Sequence, residues 1–314
     1  MIINVLIFII ILFFYVHINA QLKTSEDLEI YEMDYVNNKN LQEICNLKQP
    51  VLFDFKPVCP DFFEKLNYDT IPENSSFDIK IKENNDYWNE NANVDYVVLP
   101  MKSSLSLMIT DTQSNYFSEN NQEFLEENSM MKYFYDTNDF LKPQFTMNSK
   151  YDLLLGSSNT ALPLRYHTDF HKFICVHSGK AHIKMTPWKS SKYLHPIKDY
   201  DNYEFRSPVN VWNPQKKYTN EMNKLKFLEF DIHPGYVLYI PSFWWYSIKF
   251  SKESDNLFTS ITHNSIVNCV SNLPNYSMYY LQQSNIQKKV TKTLDVDSNK
   301  EADLIQQNDI ASEI

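Results

Sequence analysis

His167 and Asp169 stand two residues apart in the run Pro163-Leu-Arg-Tyr-His-Thr-Asp169. In an extended segment the side chains at i and i+2 leave the same face, so an imidazole and a carboxylate would point together. Mixed imidazole and carboxylate sets hold divalent transition metals and leave positions open for a substrate. Such a motif is short, and its surroundings decide whether it is a site. Other chemically capable residues read more plainly. His171, His177 and His182 fall along strand-like runs and are expected to be packed or surface residues. Arg206, in Tyr-Glu-Phe-Arg-Ser-Pro208, has the fork that grips a carboxylate if it faces a pocket. The expectation for it is a surface ion pair with Glu204 or Asp201.

The elements that must position these residues are mostly strands. From Tyr151 onward the sequence predicts strands at Tyr151–Leu155, His171–His177, Ala181–Met185, Leu225–Ile232, Val237–Ile240, Tyr246–Phe250 and Phe258–Thr262. Short strands at this spacing imply a sandwich or barrel. The chain has only three glycines, Gly156, Gly179 and Gly235, and each lies at a strand end in this region. So sparing a use suggests positive φ or close backbone approach. Upstream, Val51–Phe55, Val94–Leu99 and Leu105–Thr110 read as strands, while Asn40–Leu47 and Asn121–Glu127 read as helices. Residues 67–93, rich in Asn, Asp and Glu, read as loops. Tyr276–Leu281 reads as the start of a helix.

In this order the segments resemble the JmjC and cupin-like proteins, among them the 2-oxoglutarate- and Fe(II)-dependent hydroxylases of protein side chains. The matching pieces are Leu-Leu-Leu-Gly156, Pro163 to Asp169, Lys-Phe-Ile-Cys-Val-His-Ser-Gly179, Ser207-Pro-Val-Asn210, Gly235-Tyr-Val-Leu-Tyr-Ile-Pro-Ser-Phe-Trp-Trp-Tyr246 and Ser260-Ile-Thr-His-Asn264. They cover roughly residues 130 to 268, with a weaker echo at Leu47–Phe53. The resemblance implies a mainly β fold: a cupin-type double-stranded β-helix, or jelly-roll barrel, with flanking helices. It implies Fe(II) and 2-oxoglutarate as cofactors, His167, Asp169 and Tyr246 at the metal positions, and Asn264 and Lys180 near the co-substrate. Three departures stand out. Tyr246 occupies the place of the family's distal His. Ala181 stands where the family has a Lys, with Lys180 one residue early and so on the opposite strand face. Counted without a gap from Pro163, Arg165 and His167 would take the places of the family's His and Asp. By strand alternation His263 faces away from Asn264.

The 39 acidic and 29 basic residues give a formal net charge of −10, and no Lys/Arg block is present, which argues against nucleic acid as a partner. Cys45, Cys59, Cys175 and Cys269 are scattered and form neither a disulfide framework nor a zinc motif. Asn74 and Asn275 head glycosylation sequons, which matter only in a secretory lumen. Residues 2–18 are apolar with no Asp, Glu, Lys or Arg. They are expected either to anchor the chain in a membrane or to act as a signal peptide cleaved near Ala20. The expected organisation is a hydrophobic segment (1–20), an N-terminal part (21–129), the barrel (130–281) and a polar tail (282–314). The reading is a membrane-associated cupin-like protein that lacks the full iron site and binds a protein or small ligand at its barrel mouth. The alternative is a dioxygenase using His167 and Asp169.

Overall fold

The protein, seen in a computed structural model, is described over residues 2–71, 77–90, 94–253 and 255–285. Asn74 and the tail beyond 285 lie outside the described residues. The described strands are β1 (Tyr31–Met33), β2 (Val51–Asp54), β3 (Asp78–Glu83), β4 (Tyr96–Pro100), β5 (Tyr116–Ser118), β6 (Thr146–Gly156), β7 (Arg165–Tyr166), β8 (His171–Ser178), β9 (Ala181–Thr186), β10 (Ile197–Asp199), β11 (Glu204–Arg206), β12 (Leu228–Ile232), β13 (Tyr236–Pro241), β14 (Trp245–Phe250) and β15 (Leu257–Ser265). One sheet runs in the order β1-β2-β13-β8-β15-β6-β5-β3-β4 and the other β10-β11-β7-β14-β9-β12.

Eight strands, β6 to β9 and β12 to β15, carry the chain back and forth between the two sheets. That alternation makes the double-stranded β-helix. The sheets face each other as a jelly roll and are not hydrogen-bonded into a closed barrel.

Period-two alternation decides which residues fill the interior. Leu154, Ile174, Val176, Ala181, Ile183, Met185, Leu238, Ile240, Ile248, Phe250 and Phe258 pack into one core between the sheets. The opposite faces of β6, β8 and β15 present Tyr151, Leu153, Phe173, Cys175 and Ile261 to a second core. Helices Asn38–Cys45, Pro60–Lys65 and Met131–Tyr135 cover that face with Leu41, Phe62, Phe63 and Phe134. The four cysteines are free thiols.

Two glycines show why they stand where they do. A Cβ on Gly156 would lie 2.2 Å from the Phe250 ring, so the strand end closes against that ring only without a side chain. Gly235 has φ +96°, a conformation that L side chains avoid, in the turn that starts β13.

The structure corrects two local expectations. Leu105–Thr110 belongs to a helix, Met101–Thr110, which buries Met101, Ser104, Leu105 and Met108. Spacings of three and four outweigh the strand propensity of the individual residues. Residues 67–93 are not all loop: β3 alternates buried Ile79 and Ile81 with polar neighbours inside that acidic stretch.

Candidate functional site

β7 ends at Tyr166, and the chain turns at once through His167, Thr168 and Asp169 into β8. Side chains from other elements hold this turn. Ser242 Oγ donates to the Asp169 carbonyl at 2.6 Å, and the Phe243 N–H donates to the His167 carbonyl at 2.9 Å. The amides of Asn268 and Asn272 both donate to the Thr168 carbonyl at 2.9 Å. Asn264 donates to Asp169 Oδ1 at 2.9 Å and accepts from the Phe170 N–H at 3.0 Å. A turn fixed at this many points holds the side chains of His167 and Asp169 in place.

His167 Nε2–H donates to the Ile240 carbonyl at 3.1 Å. That leaves Nδ1 with a lone pair and no hydrogen-bond partner among the described residues, 3.8 Å from Asp169 Oδ2. Burial lowers the His167 pKa to about 4, so the ring is neutral at pH 7. Burial alone would raise the Asp169 pKa. Lys150, His167 and Lys172, with the Asn264 hydrogen bond, outweigh it and hold the carboxyl below its usual range. Neutral imidazole and carboxylate are the forms that ligate metals.

Tyr246 reaches the same pocket from β14, with its ring 6.1 Å from that of His167 and tilted 70° to it. Its strand neighbours are Arg165 on β7 and Met185 on β9. The register continues outward, so one row across the sheet reads Arg206, Arg165, Tyr246, Met185, Leu228. Charge gives way to hydrocarbon along that row, and Tyr246 stands at the crossing point.

The charged side of the row is tied into a buried ionic network. Arg165 grips Glu119 with both terminal nitrogens, at 2.9 and 2.8 Å. Lys82 bridges Glu119, at 3.0 Å, and Glu204. The Tyr87 hydroxyl donates to Glu204 at 3.2 Å. For Glu119 burial pushes upward, yet Arg165 and Lys82 prevail and bring the carboxyl down to about 2. Arg206 is 3% exposed, lies 5.4 Å over the Tyr87 ring and makes no ion pair among the described residues. The expectation of a surface pair with Glu204 or Asp201 is thereby corrected: Arg206 faces inward on β11.

These groups open onto a cavity of 330 Å³ whose walls include Lys150, Arg165, His167, Asp169, Lys172 and Tyr246. The structure thus brings His167, Asp169 and Tyr246 into one pocket. Asn264 stands behind them, its amide engaged by Asp169 and Phe170. Lys180 is not part of the pocket. It follows the β8 strand at the opposite end of the jelly roll, where its ammonium lies 3.7 Å from Asp231 on the surface. His263 faces away, bonded through Nδ1 to Ser149 Oγ at 2.8 Å. His171 and His177 are buried, and His182 pairs with Asp231 at 2.5 Å. Sequence reasoning missed Lys150 and Lys172 as wall residues. The signal was parity, since Lys172 shares its face with Ile174 and Val176.

The cupin-like domain model matches residues 62–265, well over half of the chain. This chain belongs to the cupin-like domain family. A JmjC domain-containing protein of Dictyostelium discoideum, protein D, is 29% identical over 111 residues. That stretch is 35% of this chain and 25% of the Dictyostelium protein, so the match spans a quarter of that relative's length.

JmjC-type cupin domains are typically linked to Fe(II) and 2-oxoglutarate, which makes the donor set here the relevant test. The cupin-like domain offers one imidazole and one carboxylate, with a phenol where a second imidazole would complete a facial triad. A neutral phenol is a poor substitute for imidazole. No group of three or more His, Cys, Asp or Glu able to hold a metal occurs among the described residues. The residues present do not fit a complete iron site.

Proposed function

We propose that this protein is a membrane-associated cupin-like domain that binds a partner or small ligand at the mouth of its jelly roll, without Fe(II)/2-oxoglutarate chemistry. The observation that carries this reading is Tyr246, a phenol between Arg165 and Met185 where the resemblance implies a metal-binding side chain. Arg165, beside Tyr246, is tied up by Glu119 and offers no lone pair to a metal. Behind the pocket the interior is filled by Ile174, Met185, Ile240 and Ile248, all buried. The membrane part of the reading is supported by the helix Ile2–Leu22, long and apolar enough to cross a bilayer or to act as a signal sequence, with none of its residues buried.

The test uses the full chain in detergent, with Mn(II) as the metal probe and succinate release from 2-oxoglutarate with Fe(II) as the activity probe. The expected result is no saturable Mn(II) binding and no succinate. A metal-dependent rise in Tm that disappears in His167→Ala, accompanied by succinate release, would overturn it in favour of the dioxygenase. For the membrane, the expected result is retention in the pellet after alkaline carbonate extraction with residues 2–18 intact. A mature N-terminus near residue 21 would establish the signal peptide instead.

A further inference from the structure

We infer that the mouth of the jelly roll takes a single-chain amphiphile with an anionic head, its tail lying in an apolar groove beside the polar pocket. This inference rests on the reading of the domain as a binding module and names the ligand class.

A second cavity, of 810 Å³, runs along helices Ile266–Ser271 and Leu273–Asn285. Its walls include Met147, Val270, Leu273, Tyr276 and Tyr280. The volume lies within the roughly 300–1,000 Å³ typical of small-molecule sites. Lys80, Asn120, Lys150, Asn202 and Tyr203 line both this groove and the polar pocket, so the two are continuous. An elongated ligand can therefore place a polar end in one and an apolar end in the other.

Charge sets the sign of the head. The groove wall carries Lys80, Lys82 and Lys150 against one carboxylate, Asp201. Lys82 is neutralised by Glu119 and Glu204, and Lys80 lies 3.5 Å from Glu123. Lys150, at the junction, has no ion-pair partner among the described residues, and neither has Lys172 deeper in the polar pocket. Both act on Asp169 without contacting it in an ion pair, so an anionic head at Lys150 would supply a direct partner.

Apolar exposure and the neighbouring helix point to the tail. Met147 is 64% exposed, Leu273 55% and Ile266 56%, more uncovered hydrocarbon than a soluble surface usually gathers in one place. The helix Ile2–Leu22 lies beside Ile266–Ser271, which forms one wall of the groove. An apolar peptide is the competing occupant. The adjacent apolar helix favours a ligand that arrives from lipid.

Cys269 provides the readout. It lines the groove and is the one cysteine of the four that is not buried. The full chain in phosphatidylcholine nanodiscs would be alkylated with N-ethylmaleimide in the presence of cis-parinaric acid, a fluorescent fatty acid. At about ten times its Kd the ligand should slow Cys269 alkylation about tenfold. Lys150→Gln should abolish that protection and leave the fold intact, with only a small fall in Tm from the lost attraction to Asp169, because the Lys150 side chain is exposed and in no ion pair among the described residues. The methyl ester of parinaric acid should protect much less. Unchanged alkylation in parinaric acid overturns the inference, and so does equal protection by the ester. Protection by a soluble Leu/Tyr-rich peptide instead would assign the groove to a protein partner. Fe(II)-dependent succinate release would sink the wider non-catalytic reading whatever Cys269 does, so the two failures are separable.

Discussion

The closed end and the mouth of the jelly roll are built from the same strands, and their inward positions differ in kind. On β6 the inward residues run Lys150, Asp152, Leu154, and on β8 they run Lys172, Ile174, Val176. On β15 they run from Phe258 at the closed end through Ser260 and Thr262 at the mouth. The polar members lie at the mouth and the apolar members at the closed end. At the closed end Phe250 and Phe258 stack at 4.9 Å and 14°, and Gly156 lies against them. Packed hydrocarbon is concentrated there, and polar and charged side chains are concentrated at the mouth.

Breaking the closed end should therefore cost most. Phe250→Ala removes a fully buried ring and is expected to destabilise by about 3–5 kcal/mol, read from chemical denaturation. A loss below about 1 kcal/mol would mean that this end repacks freely. Glu119→Gln tests the boundary between the two regions. It leaves Arg165 and Lys82 buried with one fewer counter-charge, and a loss of about 3 kcal/mol is expected. Should Glu119→Gln prove neutral, the network is a solvated surface feature and not a buried one. Gly156→Ala forces a Cβ against the Phe250 ring and should cost about 1–3 kcal/mol.

The pH response has a definite sign. Burial lowers the pKa of His167 to about 4 and those of His177 and His263 to about 3. Unfolded imidazoles take up a proton near pH 6.5. Between those values the unfolded chain holds more protons, so stability falls as pH drops below about 6.5. Asp152 opposes this in part. Burial lifts its carboxyl to about 6, so the folded state gains a proton first as the pH passes below that value. His171, likewise lowered by burial, makes four histidines against one aspartate, which predicts a lower Tm at pH 5 than at pH 7.5. His177→Gln, which replaces the ring packed between Phe62 and Phe63, should flatten that slope. The smallest effect is expected at the mouth. His167→Ala should cost about 1–2 kcal/mol for its lost packing and its bond to the Ile240 carbonyl. It should leave Tm insensitive to Mn(II).

The closed end was the more legible of the two in sequence. Alternating apolar positions along β8, β13, β14 and β15, with glycines at strand ends, report backbone geometry directly. The His167–Asp169 turn could be found from its residue types. Its wall could not, because Lys80, Glu119, Lys150 and Glu204 lie far apart along the chain and meet only through sheet order. Arg206 misled for the same reason. A charged residue two positions after Glu204 reads as surface, yet β11 pairs with β7 and turns it inward. Lys180 failed by parity and by end, since β8 runs away from the mouth and leaves Lys180 at the closed end, where Ala181 pairs with Phe250.

The row Arg206, Arg165, Tyr246, Met185, Leu228 also ties the pocket to the buried ionic network. Tyr246→His would place an imidazole next to a guanidinium that Glu119 fixes. Removing Arg165 as well would leave Glu119 with Lys82 alone. The side chain at position 246 is therefore not exchanged independently of charges that lie outside the pocket.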